Sequence, residues 1–336
     1  MNLRKFLFPL SIVYDGITSL RNFAYDQGWK HSKSYNKPVI CVGNLSVGGT
    51  GKSPMIEYLI ELLKKDYKVS VLSRGYKRGT KGYLEVKTTH SSEEVGDEPL
   101  QFKEKFPEVT VAVCANRQEG IEKLLPVSEV ILLDDGIQHR KVTPYFTILL
   151  TPFDDLYVND LILPAGNLRE SKSGAKRADI IVVTKCPEHA SYAKLQDIQY
   201  KLKPSSHQKV YFSKIAYDTH IYGSTETLPL HYLKDKEFTL VTGIANPKPL
   251  LAYLQGKGYK FQHKKYPDHH EFSEAEIERL QKLEIILTTE KDYMRLQSRL
   301  KKFALYYLPI KTSVLKEQQA FFNETIFDAL ENFRRD

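Results

Sequence analysis

The segment that most restricts the fold is Val39-Ile-Cys-Val42, followed by Gly43-Asn-Leu-Ser46-Val47-Gly48-Gly49-Thr50-Gly51-Lys52-Ser53. Four consecutive apolar residues predict a strand buried on both faces, and the helical spacing over 54–65 predicts a helix directly after the loop. A buried strand that turns through a glycine-rich loop into a helix, closing on Gly-Lys-Ser, is the context of a phosphate-binding loop. Gly48, Gly49 and Gly51 let backbone amides turn inward around phosphate oxygens, and the helix N-terminus adds a field that favours anions. Residues Ser46 through Ser53 are therefore the expected ATP cradle. Lys52 reaches for the β- and γ-phosphates, and the Ser53 hydroxyl for Mg²⁺. One position departs from the pattern: Ser46 stands where the first glycine of G-x-x-x-x-G-K-[ST] is usual. Pro54 falls in the first helical turn, where its missing N–H costs nothing.

After this unit, short apolar runs alternate with helical patterns. Strands are expected at 69–72, 109–114, 130–133, 146–150 and 180–184, with helices at 99–106 and 117–125. Such alternation implies a parallel α/β sheet covered on both faces. The pattern loosens over 211–235, read as a hinge, and resumes over 236–336 with strands at 238–241, 285–288 and 304–308 and helices at 247–255 and 316–333. The expected organisation is an N-terminal helix (1–30), a P-loop domain (31–210), the hinge and a smaller C-terminal α/β domain. A length of 336 residues suits two such cores.

The run Val130-Ile-Leu-Leu133 ends in Asp134-Asp135, which puts two carboxylates at a strand end beside the loop. A carboxylate there holds Mg²⁺ directly or through water. The alternative is an Asp-Gly turn, since Gly136 follows. The nucleotide is read from 180–187. A GTP switch places Asn-Lys-x-Asp after such a strand, but here the sequence is Thr184-Lys185-Cys186-Pro187, and Pro187 has no side-chain acceptor for guanine. ATP is expected. The alternative from another class is a GTP switch or metallochaperone-type binding protein.

Composition narrows the partner. Charged residues at 27% against 41% hydrophobic describe a globular chain, and a net charge of +8 favours an anionic partner. No aromatic–basic recognition module for nucleic acid is visible, and no obligate protein partner is indicated. Cys41, Cys114 and Cys186 are far apart and form no CxxC, which points to a reducing compartment. Residues 2–28 carry Leu7, Leu10, Val13, Tyr14, Ile17, Leu20 and Tyr25 at helical spacing, with Arg4, Lys5 and Arg21 among them. Asp15 interrupts the apolar run and no small-residue cleavage site follows, so this reads as a retained segment. It either lies in a membrane interface or packs on the protein's own core.

Taken in order, several segments resemble one family. They are the N-terminal helix, 43–53, Ser73-Arg74-Gly75-Tyr76, Gly96-Asp97-Glu98-Pro99 and Leu133-Asp134-Asp135-Gly136-Ile-Gln138-His139-Arg140. Pro164-Ala-Gly166-Asn167-Leu168-Arg169-Glu170, Pro267-Asp268-His269-His270 and Thr289-Glu290-Lys291-Asp292 follow. The set resembles the lipid A 4'-kinase family and spans nearly the whole chain. The resemblance implies a bacterial enzyme on the cytoplasmic face of the inner membrane. It implies transfer of the ATP γ-phosphate to the 4'-hydroxyl of a tetraacyldisaccharide 1-phosphate, between two α/β/α domains. It also implies that Asp97 and His269 act together across the cleft and that Arg169 serves the reaction centre or a substrate phosphate. Asp134, Asp135 and Glu98 are the candidate Mg²⁺ ligands beside Ser53. The basic loop Arg74, Lys77, Arg78 and Lys81 is either a solvated turn or a contact for phosphate or lipid headgroups.

The residue at 187 makes nucleotide choice testable. ATP should support turnover with a higher kcat/KM than GTP, measured side by side with purified enzyme. Equal or better use of GTP would overturn the reading of Pro187.

Overall fold

The structure, a computed structural model, describes residues 3–268, 270–300 and 304–335. A short 3₁₀ turn (Leu3–Leu7) leads into α1 (Phe8–Asp26). The first body then runs β1 (Val39–Gly43), α2 (Lys52–Leu63), β2 (Val69–Ser73), β3 (Leu84–Glu85), α3 (Ser92–Val95), α4 (Asp97–Lys105), β4 (Thr110–Val113), α5 (Arg117–Leu124), β5 (Val130–Asp134), β6 (Phe146–Pro152), β7 (Ile180–Thr184), α6 (Tyr192–Leu202) and β8 (Lys209–Tyr217). The chain crosses into a second body with β9 (His220–Tyr222), β10 (Thr227–Pro229), β11 (Phe238–Thr242), α7 (Lys248–Gly256), β12 (Phe261–Lys265), α8 (Glu274–Gln281), β13 (Ile286–Thr288), α9 (Glu290–Leu296) and β14 (Leu305–Tyr307). It ends with β15 (Ile310–Val314) and α10 (Lys316–Arg335).

The larger sheet has the order β15-β8-β7-β6-β1-β5-β2-β4-β3, and only its outermost strands β15 and β3 are antiparallel to their neighbours. The smaller sheet is β10-β9-β14-β13-β11-β12, parallel over its last four strands. β1 lies between β5 and β6, so the chain leaves β1 toward one side and later returns on the other. That reversal opens a crevice at the carboxyl ends of the strands, where α/β proteins bind ligands. Every residue of β1, β2, β5 and β7 is buried, which explains their continuous apolar runs. The result is the expected α/β fold of two mainly parallel α/β/α layers with an added N-terminal helix.

The sheet membership corrects two boundaries. Residues 209–217, assigned in large part to the hinge, form β8, which pairs in parallel with β7. In β8 the polar pair Ser213-Lys214 splits the apolar residues into two short runs, and the strand ends with half-buried positions, so it lacks the long apolar run that marks a central strand. The second correction concerns 236–336. β15 leaves the second body and pairs antiparallel to β8, and α10 packs on the larger sheet. A strand–helix pattern in sequence does not say which sheet receives it. The two crossings between bodies lie side by side: the Asp218 amide donates to Pro309 O at 3.1 Å, and Lys311 pairs with the Asp218 carboxylate at 2.7 Å.

The α1 helix is inverted relative to a core helix. Its buried residues are Ser11, Thr18 and Asn22, whereas Leu10, Ile12, Val13, Ile17 and Leu20 are each more than half exposed. Polar groups hold it to the body. Ser11 Oγ donates to Ile162 O at 3.0 Å, and Asn22 Nδ2 donates to the fully buried Glu170 carboxylate at 2.7 Å. No helix among the described residues is long and apolar enough to cross a membrane.

α10 ties the end of the chain to the phosphate-loop helix. Phe322 is fully buried and meets Tyr58 of α2 and Tyr211 of β8 edge-on, at 5.7 and 5.2 Å between ring centres. Phe322→Ala should cost about 3–5 kcal/mol in chemical denaturation, through lost transfer energy and the cavity left. A cost below about 1 kcal/mol would mean that α10 is not integral to the first body.

Candidate active site

The loop after β1 has the geometry that its glycines require. Gly48 and Gly51 have φ of +112° and +94°, a region closed to most side chains, and Gly51 starts α2. Ser46 is not an anomaly. It forms an antiparallel bridge with Leu168, flanked by Val47 N–H to Asn167 O at 2.8 Å and Arg169 N–H to Leu45 O at 2.7 Å. An extended residue in such a bridge does not need glycine's freedom. On the other flank, the Thr184 hydroxyl donates to Thr50 O at 2.7 Å, and the Lys185 ammonium donates to Gly49 O. The segment compared with a guanine-reading motif thus braces the phosphate loop itself.

The carboxylates gather beside Ser53 and Lys52. Ser53 Oγ donates to Glu98 Oε1 at 2.6 Å. Asp134 is buried at the end of β5. One of its oxygens accepts from Ser73 Oγ at 2.9 Å, and Oδ1 has no hydrogen-bond partner among the described residues. Burial, reinforced by the Glu98 charge, raises the Asp134 carboxyl to about 7. Glu98 goes the other way. Burial works against its charge, but Lys291 and Lys52 prevail and hold it at about 2. Asp135 has φ of +51° and takes a two-pronged contact from Arg169, at 2.9 and 2.8 Å, with Lys52 Nζ 3.9 Å away. Burial opposes its charge too, but Arg169 and Lys52 keep it acidic. Lys52 also lies 3.5 Å from Asn44 Oδ1, and a second Arg169 contact is to Asn44 O at 2.8 Å.

This donor set fits Mg²⁺. Ser53, Glu98 and Asp134 offer hard oxygen atoms, and Asp134 Oδ1 has no hydrogen-bond partner among the described residues. No cluster of three His, Cys, Asp or Glu groups suited to a metal occurs among the described residues.

The second body enters through α9, which packs on α4. Lys291 Nζ donates to Glu98 Oε1 at 2.6 Å, and Arg295 Nε donates to Asp97 Oδ2 at 3.0 Å. Farther along, Gln297 Nε2 meets Glu104 at 2.6 Å, and Lys105 bridges Glu57 of α2 and Glu290 of α9. Burial raises the Glu290 carboxyl to about 8, with the Glu57 charge adding to it. Asp97 does not cap α4. Gly96 is the cap residue, which leaves the Asp97 carboxylate for Arg295. His269, expected opposite Asp97, lies outside the described residues. Its neighbour His270 is engaged with Glu276 at 3.0 Å, and the charge of Asp268 acts on Arg295. Lys291 and Arg295 were not legible as site residues. Their spacing of four places both on one helix face against adjacent acids, but that signal has meaning only once the partner helix is known.

Of the remaining basic residues, Arg74, Lys77 and Lys81 are exposed, whereas Arg78 folds back onto Val113 O at 3.2 Å. Arg140 pairs with Asp26 of α1 at 2.6 Å. Burial lowers His139 to about 4, and nearby Arg117 and Lys141 add to the effect, so it is neutral at pH 7.

Comparison with known proteins agrees with this geometry. The family described as tetraacyldisaccharide-1-P 4'-kinase matches residues 3–331. A tetraacyldisaccharide 4'-kinase of Flavobacterium johnsoniae is 51% identical over 325 residues, covering 95% of each chain. One from Bacteroides thetaiotaomicron is 43% identical over 97% of this chain and 93% of its own. The crystal structure of the "apo" form of LpxK from Aquifex aeolicus in complex with ATP superposes with a TM-score of 0.79. That chain is 33% identical, and the match covers 98% of this chain and 99% of that one. The chain therefore belongs to the tetraacyldisaccharide-1-P 4'-kinase family, and it is an ATP-dependent kinase that phosphorylates the 4'-position of a lipid A precursor.

Proposed function

We propose that transfer takes place between the two bodies at the Ser53–Glu98 contact, on the cytoplasmic face of the bacterial inner membrane. The observation that carries this is one carboxylate oxygen, Glu98 Oε1. It accepts from the Ser53 hydroxyl of the phosphate loop and from the Lys291 ammonium of the second body, both at 2.6 Å.

The roles follow from charge and reach. Residues 46–53 wrap the ATP phosphates, and Lys52 offsets charge on the moving phosphoryl group. Ser53, Asp134 and Glu98 hold Mg²⁺, which when bound neutralises β- and γ-phosphate oxygens; Asp135 is the further candidate ligand. Arg169, anchored by Asp135 and Asn44, keeps a fixed cation beside the loop. Asp97, steadied by Arg295, takes the proton of the 4'-hydroxyl in concert with His269. The hydroxyl oxygen bonds to the γ-phosphorus, the bond to the bridging oxygen breaks, and ADP leaves with that electron pair. Arg74, Lys77 and Lys81 lie exposed after β2 and supply charge for the phosphate that the acceptor already carries. The paired crossings at 217–220 and 307–310 serve as the hinge about which the second body closes.

The exposed apolar face of α1 is the membrane contact. The polar residues Ser11, Thr18 and Asn22 are buried against the body, and an acylated acceptor resides in lipid. Free, buried cysteines suit the compartment that holds ATP.

Labelled ATP, Mg²⁺ and the disaccharide 1-phosphate in detergent should give a bis-phosphorylated lipid. Asp97→Asn and His269→Ala should each lower kcat about 100-fold or more with nucleotide affinity nearly unchanged, and together lose less than the sum of the two. Label passing only to water would defeat the kinase reading, and strictly additive losses would defeat the pair.

Changing Leu10, Val13 and Ile17 together to Asp should reduce sedimentation with anionic liposomes and leave the thermal midpoint in place, because all three side chains face solvent. Normal liposome binding with a lowered midpoint would assign α1 to the protein's own packing.

A further inference from the structure

We propose that Lys291 is a catalytic residue: on phosphate transfer its ammonium, carried in by the second body, contacts the γ-phosphoryl group. The inference rests on the transfer proposed at the phosphate loop and adds to it a cation from outside that loop.

The position of Lys291 goes beyond what docking two helices requires. Contacts at the other end of the α4–α9 interface, Gln297 to Glu104 at 2.6 Å and Glu290 to Lys105 at 3.5 Å, lie away from the phosphate loop. Lys291 instead shares one carboxylate oxygen with the Ser53 hydroxyl, so its amine is two hydrogen bonds from the residue that opens the phosphate-loop helix. A third of its side chain remains accessible (33%), so the amine can exchange a carboxylate oxygen for a phosphate oxygen. As an ion pair between partly exposed groups it contributes little to stability.

The surrounding charges also favour a phosphate ligand. Lys52, Lys185 and Lys291 come from three separate elements and converge on one region. Burial first, and then the charge of Lys291, disfavours the charged form of Lys185. Clustered ammonium groups repel one another, and a polyphosphate relieves that repulsion. The Lys291 ammonium donates to Glu98 Oε1 at 2.6 Å, and its part in the step is that of a positive charge that takes no proton. The hydroxyl oxygen bonds to the γ-phosphorus, ADP leaves with the electrons of the broken bond, and the hydroxyl proton passes to the base. Lys291 stabilises the equatorial oxygens throughout, the role that an arginine finger fills in other phosphoryl-transfer enzymes.

The test compares Lys291→Met with Lys291→Arg, and with Gln297→Ala as a docking control. Lys291→Met should lower single-turnover transfer to the disaccharide about 100-fold and leave the KM for ATP within about threefold. It should weaken binding of ADP with aluminium fluoride, a mimic of the transferring phosphoryl group, far more than binding of ATP. Lys291→Arg should recover part of the rate, and Gln297→Ala should keep it. Transfer by Lys291→Met within a few-fold of wild type would overturn the inference. So would an equal loss in Gln297→Ala, or equal weakening of ATP and the mimic. If Lys291→Met does not fold, Lys291→Arg decides: a rate kept wholly or in part, with ATP binding unchanged and any loss confined to the mimic, supports a cation at the phosphate, and an equal loss of ATP and mimic binding opposes it. Absence of transfer by the wild-type enzyme overturns the kinase reading as well, whereas wild-type transfer with an unimpaired Lys291→Met overturns this inference alone.

Discussion

Glu98 is the joint on which the site depends. Its carboxylate is the second residue of α4, it faces the serine that opens α2, and it receives a lysine from a helix of the other body. Without this acid, the Ser53 hydroxyl and the Lys291 ammonium would lose the acceptor they share. With it, α2, α4 and α9 share a single charged contact. The more deeply buried Glu57–Lys105–Glu290 group ties the same three helices together at a distance from the loop.

The same contact sets the charge states. Glu98 is half-buried and Asp134 buried, yet one is held at about 2 and the other raised to about 7. The difference lies in neighbours. Glu98 has Lys291 and Lys52 beside it, whereas Asp134 has burial and the Glu98 charge against it. Environments that push two carboxyls apart are typical of sites where charge must be gained and lost. Asp135, next in sequence, stays acidic because Arg169 grips both its oxygens. Three neighbouring carboxylates thus reach two states, Glu98 and Asp135 held acidic and Asp134 raised, through partners from different elements.

Much of the first body could be read in advance. Buried parallel strands write themselves as apolar runs, and a phosphate loop is a local object built by glycine torsions and a helix start. Ser46 was a departure from the pattern only until its bridge to Leu168 supplied a reason for a non-glycine residue. β8 was missed because Ser213 and Lys214 interrupt its apolar residues, and β12 because Phe261-Gln-His-Lys-Lys265 is largely polar. The direction of the α1 stripe was also undecided, since periodicity states that a helix has an apolar face and not where that face points. The buried Ser11, Thr18 and Asn22 answered that.

What the sequence determined by itself was local. It specified which segments become buried strands, where the chain turns around phosphate, and which acids stand at the end of β5, because neighbouring residues suffice to set those outcomes. Tertiary structure alone decided which distant groups meet. Lys291 and Glu98 are 193 positions apart, and Arg169 and Asp135 are 34 apart. Nothing in either residue's neighbourhood names its partner. The strand order does so: it returns the chain from the second body through β15 and leaves α9 lying across α4. Charge states followed from that placement, since a carboxyl's acidity depends on what packs around it in space.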